Sequence, residues 1–115
     1  MKVTKTFVKA VLAVLESNNH AWSAEIKQHS DTIWILTFEN SNSIKIEMYF
    51  TSSECVIGAF DSRDHYKWYC SMKLEKQSRD NFFYYIHGVL RTIDDDMCKI
   101  NDRIWEEENA SSESV

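Results

Sequence analysis

Between Ser78 and Glu108 the apolar residues Phe82, Ile86, Val89, Ile93, Met97, Ile100 and Ile104 recur in steps of three and four. That spacing keeps side chains on one side of an α-helix, because 3.6 residues complete a turn. Phe83, Leu90 and Trp105 widen the row into a stripe. A helix from Arg79 to Glu108 would run about 45 Å, against roughly 23 Å for a seven-residue strand. So long an apolar stripe needs a surface to cover, and the middle of the chain supplies one. Asp94, Asp95 and Asp96 interrupt the composition of the stripe but not its phase, so the spacing predicts a continuous or gently kinked helix. Ser78 is its expected N-cap, with Asp80 in the first turn.

Alternation replaces the helical period between residues 22 and 72. Trp22, Ala24 and Ile26 oppose Ser23, Glu25 and Lys27, as a half-buried strand requires. In Thr32 to Phe38 both sides are apolar, which predicts a central strand covered on each side. Ile44, Ile46, Met48 and Phe50 alternate with Ser43, Lys45, Glu47 and Tyr49, the cleanest one-sided pattern in the chain. Cys55 to Phe60 reads as a short strand, with Gly58 marking a bulge or a close approach. Tyr66, Trp68, Cys70 and Met72 then alternate with His65, Lys67, Tyr69 and Ser71. With no Pro and only two Gly, the turns fall to Asn, Asp and Ser, which tolerate left-handed backbone. Short connections between successive strands give an antiparallel meander. Before it, Val3, Phe7, Val8, Val11, Leu12 and Leu15 line an amphipathic helix, capped by Thr4 or Thr6 and closed by Asn18 and Asn19.

The reading is therefore α+β, in the order α-β-β-β-β-β-α, as a two-layer sandwich. One domain is expected over residues 1–109, followed by a disordered acidic tail over 110–115. Lys9 and Glu16 break the first apolar run, and no small-residue cleavage pattern follows, so that run reads as a helix of the domain rather than a leader. No apolar stretch reaches membrane-spanning length. Cys55, Cys70 and Cys98 are odd in number and lack close spacing, as expected of reduced thiols in a cytoplasmic protein.

Charge is unevenly placed. Residues 1–93 hold eleven Lys/Arg against ten Asp/Glu, whereas 94–115 hold two against eight. An acidic C-terminal end argues against a general nucleic-acid surface. Two isolated glycines exclude a glycine-rich phosphate loop. His20, His29, His65 and His87 form no metal-binding spacing, and neither a metal nor another cofactor is expected. Asp61, Asp64 and His65 share one turn that would serve a small hydrolase, although Asp and Ser are also what such a turn needs. Consecutive helical carboxylates at 94–96 point about 100° apart and do not converge on one ion.

The aromatic content, 13% with four Trp, exceeds what one small core requires. Tyr and Trp dominate protein interfaces. With the long helix on the side of Ile44, Ile46 and Met48, Tyr49, Tyr69 and His65 are expected on the opposite side. The leading expectation is a non-enzymatic acidic protein that acts by protein–protein contact, as an inhibitor, antidote or adaptor, on a basic or nucleic-acid-binding partner. Its expected contact residues are Asp94, Asp95, Asp96, Trp105, Glu106, Glu107, Glu108, Tyr49 and Tyr69. A homodimer is expected because the stripe runs past the sheet to Ile100, Ile104 and Trp105. The alternative is a nucleotide-like small ligand stacked on exposed aromatics near Lys67 and Arg63.

Overall fold

The computed structural model describes residues 2–113. Its elements are α1 (Lys5–Ser17), β1 (Ser23–Ser30), β2 (Ile33–Glu39), β3 (Lys45–Phe50), β4 (Glu54–Phe60), β5 (Tyr66–Lys73) and α2 (Arg79–Glu113). The strands form one antiparallel sheet in the order β1-β2-β3-β4-β5. The α+β order read from the sequence is the order observed.

α1 starts at Thr4, whose hydroxyl accepts from the Phe7 amide at 3.2 Å. It ends as the asparagines require. Asn19 takes a left-handed φ of 60°, and the His20 amide reaches back to the Leu15 carbonyl at 2.8 Å. That arrangement satisfies carbonyls the last helical turn leaves open. α2 begins at Ser78, whose hydroxyl accepts from the Asn81 amide at 3.1 Å. It runs unbroken for 35 residues, or about 52 Å. It passes straight through Asp94–Asp96 and continues to Glu113, four residues into the segment expected as tail. Ser114 and Val115 of that segment lie outside the described residues.

Both helices pack on one side of the sheet. Phe7 of α1, Phe50 of β3 and Phe82 of α2 meet at ring separations of 5.4 to 6.3 Å. Val8, Val11 and Leu15 join Leu36, Phe38, Ile46, Met48 and Ile57 in the same core, with Ile86, Ile93 and Met97 from α2. No polar side chain among the described residues is buried in it.

Three expectations change. β2 is flanked by β1 and β3, but only its Trp34, Leu36 and Phe38 side is buried. Ile33 and Ile35 are half-buried on a side that no described element covers. β1 begins at Ser23, leaving Trp22 exposed, and as an edge strand it keeps only Ile26 half-buried. In β5 the alternation is broken by a bulge. Ile57 pairs with Cys70 and Gly58 with Trp68, so Tyr69 is an extra residue. The bulge sits opposite Gly58, where an added Cβ would strike the Tyr66 ring, which is the close approach a glycine permits.

The stripe beyond the sheet also finds cover inside the chain. The β4–β5 turn leans on α2, with the Ser62 amide donating to Asn101 Oδ1 at 2.8 Å. Arg63 approaches Glu107 at 3.7 Å and Glu108 at 3.4 Å. Ile104 is 8% exposed and Ile100 half-buried, while Trp105 stays 65% exposed. Of the overhanging stripe, Ile100 and Ile104 are thus covered within the chain, and Trp105 is not.

Candidate binding surfaces

The residues expected to form one contact surface are dispersed. Tyr49 lies on the helix-free side of the sheet, paired between Ile35 and Val56. Tyr69 does not. The bulge turns it and Lys67 toward α2, where the Tyr69 hydroxyl donates to Asp96 Oδ2 and Lys67 Nζ reaches the same oxygen at 2.6 Å. His65 precedes β5, in the turn. Asp94 Oδ1 accepts the amides of Asn40 and Asn42, each at 2.8 Å, and so holds the β2–β3 turn to α2. Asp95 and Glu106 are exposed. Several of the acidic groups thus brace turns of the meander against the helix.

Their ionisation follows. Hydrogen bonds from Lys67 and then Tyr69 hold the Asp96 carboxyl below its usual range. Burial first, and then its bond to Asp96, pushes the Tyr69 hydroxyl up, so it stays a donor. Asp61 is lowered chiefly by the backbone bond from His65, supported by that from Arg63. Its Oδ1 accepts those amides at 2.9 and 2.8 Å. Asp61 therefore shapes its own turn, with Asp64 at a left-handed φ of 61°. His65 Nδ1 lies 3.7 Å from Asp61 Oδ2 and is open to solvent. Burial, and then the charge of Cys70, drives the Cys55 thiol far up, which removes it as a nucleophile.

A second polar contact joins α1's exit to α2. His20 Nε2 and His87 Nδ1 face each other at 3.1 Å. Burial lowers the His20 pKa, followed by the fields of His87 and Arg91, against an opposing contribution from Asp94. Among the described residues no three His, Cys, Asp or Glu side chains converge as a metal site. None of the helices there is long and apolar enough to cross a membrane.

Two surfaces stand out among the described residues. The first is a groove of about 570 Å³ between β5 and the outward flank of α2, lined by Tyr69, Cys70, Tyr84, Tyr85, Gly88 and Arg91. Tyr84 is 84% exposed. A Cβ at Gly88 would meet nothing within 4 Å, so no internal packing requires that glycine. Arg91 makes no ion pair among the described residues. β5 is an edge strand, so its outer backbone groups are not taken up by a neighbouring strand. The second is the helix-free side of the sheet, where Ile35, Tyr49 and Val56 form a row across three strands beside Trp68. From the sequence, Tyr49 and Tyr69 were expected as contact residues, whereas Tyr84 and Tyr85 counted only toward the aromatic surplus. The signal passed over is Gly88, a costly residue inside a helix that gains nothing from it.

Compared with known proteins, no family model matches the chain, and no curated protein or solved structure matches it either.

Proposed function

We propose that this chain is a non-enzymatic binding protein that acts by protein–protein contact, taking an extended segment of its partner along the edge of β5. The observation that carries the reading is the groove beside that edge. Strand addition supplies main-chain hydrogen bonds, and alternate side chains of the added segment need pockets. Here every second side chain would enter between Tyr85, Gly88 and Tyr69, where the missing Cβ leaves room. Arg91 offers a planar fork that matches a carboxylate. That supports a partner segment carrying apolar and acidic residues rather than a basic one. The carboxylates on α2 that were expected to meet a basic partner are, at Asp94, Asp96, Glu107 and Glu108, engaged with Asn40, Asn42, Lys67, Tyr69 and Arg63.

A second reading rests on the same groove. Its volume of about 570 Å³ falls in the range of small-ligand sites, and a flat anionic ligand stacked on Tyr84 or Tyr85 could pair with Arg91. Affinity capture with wild type, Gly88→Leu and Arg91→Glu separates the two. The first reading expects a protein retained in stoichiometric amount by wild type and lost from both variants. A small molecule seen by native mass spectrometry on the wild type alone favours the second. Equal retention of a protein by all three chains contradicts the groove as the contact.

A further inference from the structure

The helix-free side of the sheet has no cover from any described element. Pairing across the strands sets its side chains in rows. One row reads Lys27, Ile35, Tyr49, Val56, Ser71, and the next reads Glu25, Thr37, Glu47, Gly58, Trp68. The rows beyond them contain Glu39, Lys45, Phe60 and Tyr66 on one side, Glu54 and Lys73 on the other. The centre is mainly apolar and aromatic with Glu47 within it, and the border mixes three lysines with three glutamates. A chain of net charge −5 thus has one broad side that is nearly neutral, where a second copy meets no strong repulsion.

We propose that this side is the interface of a two-fold symmetric homodimer, with the axis in the plane of contact, crossing the strands between those two rows. Such an axis exchanges the rows, because an isologous interface brings each residue opposite the counterpart of another and the reverse. Lys27 then faces Glu25 of the second copy, twice by symmetry. The Tyr49 hydroxyl faces Glu47, a donor before an acceptor. Val56 faces the Tyr66 ring that lies over Gly58, and Trp68 faces the row that holds Ser71. Trp68 is already oriented, since its Nε1 donates to Ser71 Oγ at 3.0 Å, and its ring is 57% exposed. The mirror alternative, an axis along β3, would put Glu47 against Glu47 and leave Lys27 opposite Ser71. Charge selects the first arrangement. Two sheets stacked in this way form a sandwich whose inner sides share one core. The proposal is independent of the groove at β5, and the dimer needs none of Tyr84, Tyr85, Gly88 or Arg91.

The test is sedimentation equilibrium on the full chain, with circular dichroism as the check on folding. Wild type is expected to dimerise at tens of micromolar. Lys27→Glu alone and Glu25→Lys alone place like charges together and should each weaken the dimer by about tenfold or more. Both sites are exposed on the edge strand, so the fold should survive. The double variant Lys27→Glu with Glu25→Lys restores the pairing in reverse and should recover the wild-type association. Gly88→Leu should leave it unchanged. A monomeric wild type at these concentrations overturns the proposal. So does a dimer indifferent to the single reversals, or one that the double reversal fails to rescue.

Discussion

The two sides of one sheet are made from the same five strands, yet they differ in what finishes them. On one side Leu36, Phe38, Ile46, Met48 and Ile57 are sealed under α1 and α2. On the other, Ile33, Ile35, Tyr49 and Val56 stop at half-burial, and Tyr66 and Trp68 stand further out. The first pattern reads as a core from sequence alone, whereas the second reads so only at Ile33 and Ile35 of β2. What separates them is cover, since both helices line the same side of the sheet. The second side keeps the chemistry of an interior without a cover, mixed with Lys and Glu that an interior would not hold.

Substitution on neighbouring strands is the sharpest way to break this comparison. Ile46→Asp puts an unpaired carboxylate where the side chain is 1% exposed. Such burial costs several kcal/mol, which is comparable to the whole stability of a small domain. Loss of the cooperative thermal transition is the expected result. Val56→Asp, one strand away on the helix-free side, should keep that transition and instead yield a folded monomer. If both variants unfold, the two sides are one core.

α2 carries the same contrast around its own axis. Phe82, Ile86 and Ile93 face the sheet, fully buried, while Gly88 faces open space. Gly88→Ala should therefore raise stability, by roughly 0.5–1 kcal/mol from helix propensity, measured by urea denaturation. A loss of stability would mean that the glycine serves packing inside the chain.

The smallest expected effect concerns pH. His20 has a folded-state pKa below the ordinary 6.5, so the unfolded chain takes the proton more readily. Its contribution is complete above about pH 6.5 and is lost as pH falls through the lowered folded value. Protonating both rings would also place two donors face to face at the His20–His87 contact. Stability measured from pH 7.5 to 5 should decline less steeply in His20→Asn than in wild type. Identical slopes would remove the pair as the source.

These contrasts also show how far the sequence could be read. The meander and α2 were legible because a period of two and a period of 3.6 leave different traces in the positions of Ile46 and Met48 or of Phe82 and Ile86. The bulge was not, since alternation counted through Tyr69 assumes that no residue is extra, and one inserted residue sends Tyr69 and Lys67 to the helix side. Gly58 gave the only warning. The acidic run at 94–96 read as a free surface because its partners, Asn40, Asn42, Lys67 and Tyr69, come from hairpins whose position over the helix is a tertiary fact. His20 and His87, 67 residues apart, carry no local signal at all. Nor does periodicity say which side of a sheet two separate helices choose, and that choice leaves the helix-free side open.

The claim that the helix-free side is an interface, not an unfinished core, is tested most directly by hydroxyl-radical footprinting of the wild-type chain over a concentration series. Trp68, Tyr66 and Tyr49 should lose reactivity together as concentration rises through the dimerisation range, while Tyr84 and Trp105 stay reactive throughout. Constant labelling of Trp68 from dilute to concentrated samples, or protection that appears first at Tyr84 or Trp105, would contradict it.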